Sequence, residues 1–241
     1  MRIIVKKNYQ EMSKQAALQT ASQIRLKPDS VLGLATGSTP KGMYQELIKM
    51  YQKDELDFSR VTTFNLDEYY DISPDNPQSY HYYMYNNFFK HINIKPENYH
   101  LLDGTVDDVE KECNQYDEKI RESGGIDLQV LGIGPNGHIG FNEPGEQLNV
   151  TTHLVDLAEE TIQANSRFFN STREVPKQAL TVGIATILKA DRIILLASGK
   201  NKAEAIKKTV SKNVTTRVPS SLLQTHPDIT LILDKKAASL I

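Results

Sequence analysis

The stretch VLGLATGSTPKGMYQELIKMY, residues 31–51, decides the fold class of this chain. It begins with apolar and small residues, which is typical of a strand that is buried on both faces of a sheet. Thr39 and Pro40 favour a helix start, because a capping side chain is followed by a proline in the first turn. Met43 and Leu47 then lie four residues apart, on one face of the expected helix. A strand that passes through a glycine turn into an amphipathic helix is the repeating unit of an α/β fold.

The same alternation of apolar runs and helical spacing extends along the whole chain. Short runs rich in valine, isoleucine and leucine predict strands at 3–5, 31–35, 61–66, 126–133, 192–197 and 229–233. Apolar residues three or four positions apart predict helices at 8–26, 39–51, 106–121 and 201–211. No repeat or low-complexity tract divides the chain. We therefore predict one Rossmann-like α/β domain over residues 1–241, a three-layer sandwich in which helices flank a mostly parallel sheet.

The bulk composition is that of an ordinary globular protein. Of 241 residues, 39% are apolar and 24% are charged, and the formal net charge of -2 indicates no basic surface for nucleic acid. Cys113 is the only cysteine, so no disulfide can form within the chain, and a reducing compartment fits. The N-terminal residues lack the apolar core of a signal peptide, and no run approaches the roughly 20 apolar residues that span a bilayer. These features predict a cytoplasmic protein without nucleic-acid or membrane partners.

A glycine-containing turn follows the strand predicted at 31–35. In open parallel sheets, ligands bind beyond the carboxyl ends of the strands, where this turn is expected. The free backbone amides of Gly37, Ser38 and Thr39 and the dipole of the following helix favour an anion. The sequence is neither a Walker A motif nor GxGxxG, so a nucleotide is not indicated. A phosphate cradle and a simple capped turn both fit these residues.

Two acidic residues follow the strand predicted at 61–66, in the stretch FNLDEYY (64–70). Asp67 and Glu68 could provide a catalytic base, a metal ligand or a solvated loop. A transition-metal site has little support, since the chain has no cysteine cluster and no HxxxH motif. The segment 66–80 is polar and contains two prolines, so we predict a long loop that places a catalytic carboxylate, Asp67, at the edge of the sheet.

The stretch LGIGPNGHIGFNEPG, residues 131–145, contains five glycines, one histidine and one glutamate. Its glycines and prolines disfavour a helix and permit backbone conformations that other residues avoid. A histidine side chain titrates near neutral pH, so His138 at a strand end is a candidate for proton transfer, with Glu143 following across a turn. A packed or surface histidine is the alternative.

Two cations are candidates for binding a phosphate group. Arg167 lies in ANSRFF (164–169), and Lys202 lies in ASGKNKAEA (197–205), at the helix start expected after the strand at 192–197. An arginine offers a planar fork to a phosphate, and a lysine offers a point charge. Solvated surface positions are the alternative for both.

Five motifs together resemble the glucosamine-6-phosphate deaminase family, in this order along the chain: LATGSTP, FNLDEYY, GIGPNGHIGFNEPG, ANSRFF with VPKQALTVGIAT, and SGKNKA. The GHIGFNEPG stretch is highly specific, and the set is more specific than any single member. The resemblance implies a parallel-sheet α/β sandwich that uses no metal and no organic cofactor. It also implies the reversible conversion of glucosamine 6-phosphate and water to fructose 6-phosphate and ammonium. A small-molecule sugar phosphate is therefore the expected partner.

The resemblance implies roles for the candidate residues. Asp67 resembles the family's base, which moves a proton between carbons 2 and 1 of the opened sugar. His138 resembles the residue that opens the pyranose ring, and Glu143 resembles the carboxylate that supports it. The phosphate-binding set of the family is matched by the amides of Gly37, Ser38 and Thr39 and by the side chains of Arg167 and Lys202.

Asn136 departs from the better-known form of the motif, because many family members have an aspartate two places before the histidine. An asparagine oxygen can still accept the N–H of the imidazole ring, but it brings no charge. We therefore count Asn136 among the catalytic residues with Asp67, His138 and Glu143, and we expect Glu143 to carry more of the support of the histidine.

Two further segments bear on regulation and closure. The stretch 148–157 has no arginine or lysine, whereas allosteric hexameric members carry basic residues there that bind an acetylated sugar-phosphate activator. We therefore expect the simpler, non-allosteric type, a monomer or a small homo-oligomer. The segment 157–178 is expected to close over the substrate as a mobile lid.

Two other functions fit part of the pattern. A sugar-phosphate lactonase of the same fold, acting on 6-phosphogluconolactone, also needs a phosphate cradle and a water-activating histidine, but it has less need of a carboxylate at Asp67. A sensor that binds a sugar phosphate without chemistry is suggested only by Asn136.

Overall fold

The computed structural model of the chain describes residues 1–166, 169, 171 and 174–241. The described strands are β1 (Arg2–Lys6), β2 (Val31–Leu34), β3 (Thr62–Asn65), β4 (Asp67–Tyr69), β5 (Tyr99–His100), β6 (Leu128–Leu131), β7 (His153–Asp156), β8 (Gln178–Thr181), β9 (Arg192–Ala197) and β10 (Ile229–Asp234). The described α-helices are α1 (Tyr9–Leu26), α2 (Ser38–Gln52), α3 (Tyr80–Asn87), α4 (Val109–Glu122), α5 (Glu159–Asn165), α6 (Ile184–Leu188) and α7 (Ala203–Thr209).

The larger sheet of the described residues has the strand order β1-β10-β9-β6-β2-β3-β5, and every neighbouring pair in it is parallel. Three of its strands, β2, β6 and β10, are completely buried, and most of their side chains are apolar. Helices cover both faces, as buried strands of a parallel sheet require. The predicted α/β class, with a mostly parallel sheet between helices, is confirmed, and each of the six predicted apolar runs contains a strand of this sheet.

An apolar core lies on each face of the larger sheet. On one face, α1 and α2 pack against β2 through side chains that include Met12, Leu32 and Met43. On the other face, Ile120 of α4 and Ile206 of α7 belong to a second cluster of buried residues that also contains side chains of the sheet. The two cores hold the sheet rigidly from both sides, so the loops at its carboxyl edge are fixed at their bases.

A smaller antiparallel sheet, in the order β4-β8-β7, stands at the carboxyl edge of the larger one. Leu66 connects the two sheets, because its N–H donates to the carbonyl of Leu34 (3.0 Å) and its carbonyl accepts from the N–H of Val182 (2.8 Å). The polypeptide therefore leaves β3 and enters β4 with one intervening residue, and Asp67 is the first residue of β4.

The prediction of a long loop over 66–80 is wrong at its start, because residues 67–69 form β4. The sequence DEY has low strand propensity, and its burial comes from β8 and from the helix that begins at Tyr80. Only tertiary packing makes this short polar segment a strand. No helix in the described part of the chain is long and apolar enough to cross a membrane.

Candidate functional site

A cavity of about 720 Å³ opens at the carboxyl edge of the larger sheet, between that edge and the smaller sheet. Its lining comes from six separate parts of the chain: the turn after β2, β4 with the residue before it, α3 with the residues just before it, the loop after β6, α5 with Phe169, and the turn after β9. Gly37, Asp67, His138 and Lys202 all line it, although up to 165 positions of sequence separate them. The structure thus brings the predicted base, the predicted histidine and part of the predicted phosphate set to one hollow.

The turn after β2 presents the first amides of α2 to this cavity. Gly37 has φ = 96°, a conformation that favours glycine, and the helix begins at Ser38. The N–H groups at a helix start have no acceptor within the helix, so those of Ser38 and Thr39 are available to an anion. Two tyrosines hold the turn through its carbonyl groups. Tyr83 Oη donates to the Gly37 carbonyl (2.6 Å), and Tyr9 Oη donates to the Ser38 carbonyl (2.8 Å).

The turn after β9 is fixed by Asp234, the last residue of β10. Its carboxylate accepts hydrogen bonds from the Ser198 hydroxyl (2.7 Å) and from the Gly199 N–H (3.1 Å). Burial alone would raise the pKa of Asp234, but the hydrogen bonds from Ser198 and from backbone N–H groups outweigh burial and lower it. Gly199 has φ = 97°, and Lys202 follows at the start of α7, on the wall of the cavity. Arg167, the other predicted cation, lies outside the described residues.

Asp67 is 7% exposed and faces the cavity from the first position of β4. Within the described residues, no group donates a hydrogen bond to its carboxylate. Burial raises the pKa of Asp67 to about 8, and the neighbouring charge of Glu68 adds to the increase. A carboxylate with high proton affinity, open to a cavity and lacking hydrogen-bond donors, has the properties of a general base.

Glu68 is 1% exposed, and successive residues of a strand point to opposite faces, so it turns away from the cavity. Its carboxylate accepts backbone N–H bonds from Tyr69, Tyr80 and His81, all at 2.9 Å. Burial raises the pKa of Glu68 to about 7, although these three donors oppose the increase. Glu68 thus joins β4 to the N-terminus of α3 and does not line the cavity.

The loop after β6 carries His138 and is attached to the strand that pairs with Asp67. Thr181 of β8 lies opposite Asp67 in the smaller sheet, and its hydroxyl accepts the N–H of Phe141 (3.0 Å). Gly140, next to Phe141, has φ = 58°, and a Cβ there would approach Thr181 Oγ1 to 3.0 Å. The absence of a side chain at Gly140 lets the loop lie close to β4 and β8.

The imidazole of His138 contacts a carboxylate through its Nδ1 atom. Its Nδ1 lies 3.3 Å from Glu143 Oε2, and the Thr161 hydroxyl donates to the other oxygen, Oε1. Burial would raise the pKa of Glu143, but hydrogen bonds from His138, Thr161 and Asn136 and the charge of His138 lower it. A carboxylate kept ionised at Nδ1 fixes the ring and leaves Nε2 for exchange with a ligand.

Asn136 does not contact the imidazole ring, contrary to what we considered from the sequence. Its Nδ2 donates to Glu143 Oε2 (2.9 Å), and its Oδ1 accepts the backbone N–H of His138 (3.1 Å). The amide therefore orients the carboxylate and the backbone of the loop. Two side chains lie next to Nδ1 of the ring: Glu143, and Thr161, whose hydroxyl is 3.4 Å away.

Several residues that hold the site were not identified from the sequence: Tyr9, Tyr83, Thr161, Thr181 and Asp234. Each acts through a contact between distant parts of the chain, such as the 46 residues between Tyr83 and Gly37. Their residue types are common in cores and turns, so the sequence carries no signal for them. In the part of the chain that the structure describes, no group of three or more His, Cys, Asp or Glu side chains could hold a metal ion.

The family model of the glucosamine-6-phosphate isomerases/6-phosphogluconolactonase matches residues 6–231. A glucosamine-6-phosphate deaminase of Halothermothrix orenii is 72% identical over 241 residues, which cover 100% of both chains. A glucosamine-6-phosphate deaminase of Thermoanaerobacter pseudethanolicus is 61% identical over 100% of this chain and 95% of its own length.

Among solved structures, a monomeric glucosamine-6-phosphate deaminase is 50% identical and superposes with a TM-score of 0.98 over 100% of both chains. A 6-phosphogluconolactonase of Trypanosoma brucei is 19% identical, with a TM-score of 0.80 over 99% of this chain and 97% of its own. At that identity the second likeness shows a shared fold only.

Proposed function

Because the chain belongs to the family of glucosamine-6-phosphate isomerases and 6-phosphogluconolactonases, we propose that it converts glucosamine 6-phosphate and water to fructose 6-phosphate and ammonium, reversibly. The observation that carries this proposal is that Asp67, His138 and the turn after β2 line one common cavity. Its relatives of 72% and 61% identity bear the name of this deaminase.

The phosphate group of the sugar is held at one end of the cavity. The amides of Ser38 and Thr39 donate hydrogen bonds to the phosphate, and the positive end of the α2 dipole attracts it. Lys202 adds a positive charge. Arg167 is proposed as a second charge on sequence grounds. Because the phosphate is bound at a fixed point, the reacting carbons of the sugar stay beside the side chains that act on them.

His138 opens the pyranose ring in the first step. Its imidazole takes the proton of the anomeric hydroxyl and delivers a proton to the ring oxygen, which breaks the bond between that oxygen and carbon 1. Glu143, kept ionised by its own hydrogen-bond donors, balances the positive charge while Nδ1 and Nε2 of the imidazole each carry one proton. The product of this step is an aldehyde, which makes the neighbouring hydrogen on carbon 2 acidic.

Asp67 then transfers that hydrogen from carbon 2 to carbon 1. Removal of the proton gives an enolamine, and its return to carbon 1 leaves a carbon–nitrogen double bond at carbon 2. Water adds to that bond, ammonia leaves and the ketose remains. Burial favours the protonated form of Asp67, but a substrate ammonium group beside it favours the carboxylate, which is the form that acts.

A lactonase function has weaker support. The lactonase compared above shares the fold at 19% identity, and hydrolysis of a lactone requires no proton transfer between two carbons. Nothing in that reaction needs the buried carboxylate of Asp67. A sensor without chemistry would not need the paired His138 and Glu143 either.

One assay with two substrates tests the function. Purified protein incubated with glucosamine 6-phosphate should release ammonium and fructose 6-phosphate in equal amounts. Incubation with 6-phosphogluconolactone should give hydrolysis no faster than in buffer. The reverse pattern would establish the lactonase, and tight binding of glucosamine 6-phosphate with no product would establish the sensor.

We further propose that the protein acts as a monomer without allosteric activation, in the cytoplasm. A monomeric deaminase of 50% identity superposes over its whole length, and the segment 148–157 carries no arginine or lysine. Hyperbolic kinetics, unchanged by N-acetylglucosamine 6-phosphate, together with a monomeric mass in solution, would support this. Sigmoidal kinetics would overturn it.

A further inference from the structure

Glu68 is the buried carboxylate next to the proposed base, and it binds two structural elements together. Its Oε1 accepts the N–H of Tyr69 in β4 and that of Tyr80, while its Oε2 accepts the N–H of His81. Tyr80 and His81 are the first two residues of α3. The strand that carries Asp67 is therefore attached to the start of this helix by one side chain.

The same helix is attached to the phosphate-binding turn. Tyr83 lies three residues after Tyr80 on α3, and its hydroxyl donates to the carbonyl of Gly37 at 2.6 Å. Both tyrosines line the cavity. A short series of contacts thus runs from Asp67 through Glu68 and α3 to Gly37, along the wall of the site.

The carboxylate of Glu68 is enclosed, so its position is fixed. It is 1% exposed, and the backbone at Gly104 packs against it so closely that a Cβ there would lie 3.4 Å from Glu68 Cγ. The same Cβ would lie 2.1 Å from the carbonyl oxygen of Tyr69. Removal of the carboxylate would leave the backbone N–H groups of Tyr69, Tyr80 and His81 without their acceptor at a site that is closed to water.

We propose that Glu68 is a positioning residue of the deaminase reaction, which sets the distance between Asp67 and the phosphate-binding turn by joining β4 to α3. This inference rests on the proposed function. The phosphate of the substrate is fixed at the turn, so any shift of α3 against β4 moves carbon 2 relative to Asp67. Such a shift affects proton transfer and leaves phosphate binding largely unchanged.

Two substitutions of Glu68 test its role, one by removing its charge and the other by shortening its reach from β4 to α3. Glu68→Gln keeps the size of the side chain but turns an N–H₂ group toward an N–H donor. Glu68→Asp keeps the charge but is one methylene too short to reach both β4 and α3. We expect both to lower kcat by about tenfold to a hundredfold with little change in KM, since a 1 Å misplacement costs about that much.

Ser79→Ala is the matched control. Ser79 also caps α3, because its hydroxyl accepts the N–H of Tyr82 (3.0 Å), but it makes no hydrogen bond to β4. The control removes a cap from the same helix and should keep kcat within about threefold of the wild type, since a lost cap destabilises a helix without moving the site. Circular dichroism and the melting temperature establish that all three variants are folded.

The outcomes distinguish the two proposals. Wild-type protein that does not deaminate glucosamine 6-phosphate overturns the function itself. An active wild type, with full kcat in both Glu68 variants or an equal loss in Ser79→Ala, overturns the role of Glu68. If the Glu68 variants do not fold, Tyr83→Phe removes the hydrogen bond between α3 and Gly37 and should lower kcat severalfold. Its control is Tyr82→Phe, which changes an exposed tyrosine of the same helix and should not lower kcat. Unchanged kcat in Tyr83→Phe would then reject the inference.

Discussion

The two sheets of the molecule contribute to the site in different ways. The larger parallel sheet ends in turns at Gly37 and Gly199, with φ of 96° and 97°, that present helix starts to the cavity. The smaller antiparallel sheet contributes a side chain, Asp67, whose burial raises its pKa to about 8. Backbone amides at strand ends are suited to binding an anion, whereas a carboxylate whose pKa is shifted by burial is suited to proton transfer. The comparison predicts that substitutions in the turns at Gly37 and Gly199 change KM, whereas substitution of Asp67 changes kcat.

Asp67→Asn is the strongest test of this division. The amide has nearly the same size as the carboxyl group but cannot accept the proton of carbon 2, so kcat should fall by about 10³-fold. KM should change little, because the phosphate-binding turns are not altered. Exchange of the carbon-2 proton of glucosamine 6-phosphate with solvent, followed by NMR in deuterated water, should be lost with the turnover.

The control for Asp67→Asn is Asp156→Asn, in β7 of the same small sheet, where the aspartate is exposed and bonded to Gln178. It should keep the wild-type kcat. An Asp67→Asn variant that still turns over at a tenth of the wild-type rate would remove Asp67 from the chemistry.

Lys202→Met tests the larger sheet. Loss of a charged hydrogen bond to a phosphate costs about 1.5–3 kcal/mol, so KM should rise by about tenfold to a hundredfold. The kcat should change much less, since Asp67 and His138 are not touched. Lys207→Met removes an exposed lysine of the same helix and should leave both constants unchanged. A fall in kcat that exceeds the rise in KM would contradict the separation of binding from chemistry.

The raised pKa of Asp67 predicts how the rate depends on pH. Free protein below about pH 8 holds Asp67 mainly in its acid form, so kcat/KM should rise about tenfold per unit as pH increases toward 8. The cause is burial and then the charge of Glu68, so Glu68→Gln should move this rise to lower pH. A kcat/KM that is constant from pH 6 to pH 8.5 would contradict the assignment.

The titration of Asp67 should also affect the free energy of unfolding, which should fall with rising pH where kcat/KM rises. The folded protein keeps the proton of Asp67 up to about pH 8, whereas the unfolded chain loses it near its ordinary value of 3.8. The free energy of unfolding therefore falls as pH rises through this window. The melting temperature of Asp67→Asn should exceed that of the wild type at pH 8, and the gap should narrow toward pH 4.

Six of the seven strands of the larger sheet could be predicted from the sequence, but its short edge strand β5 and the smaller sheet could not, for a physical reason. A strand buried on both faces needs an unbroken apolar run, such as the one at 31–35, and the glycine turn after it is a local signal. The strand β4 is three polar or aromatic residues, and its burial depends on β8, more than a hundred positions away. Once β4 is recognised, the alternation of its side chains separates Asp67 from Glu68, which the sequence alone did not do.

The loop that carries His138 could be predicted in part. The hydrogen-bond partner of Asn136 is the part that could not be predicted. The glycines and the histidine were visible in the sequence, but the partner of the asparagine depends on the path of the loop through Gly137, at φ = 93°. That path turns the Asn136 amide to Glu143 Oε2 and away from the ring. Residue types alone could not distinguish the two partners.

Asn136→Asp is therefore expected to have the smallest effect. It replaces the amide donor at 2.9 Å from Glu143 Oε2 with a second carboxylate, which adds a negative charge near the imidazole. The acidic limb of kcat, measured at saturating substrate, should move to higher pH by up to about one unit, because a nearby anion favours the protonated imidazole of His138. The plateau of kcat should change little, since Asn136 makes no bond to the ring whose loss could select a wrong tautomer. Asn114→Asp, on the exposed face of α4, is the control for net charge. An unchanged profile in Asn136→Asp would mean that Glu143 alone sets the charge at His138 and that the asparagine acts only on the backbone of the loop.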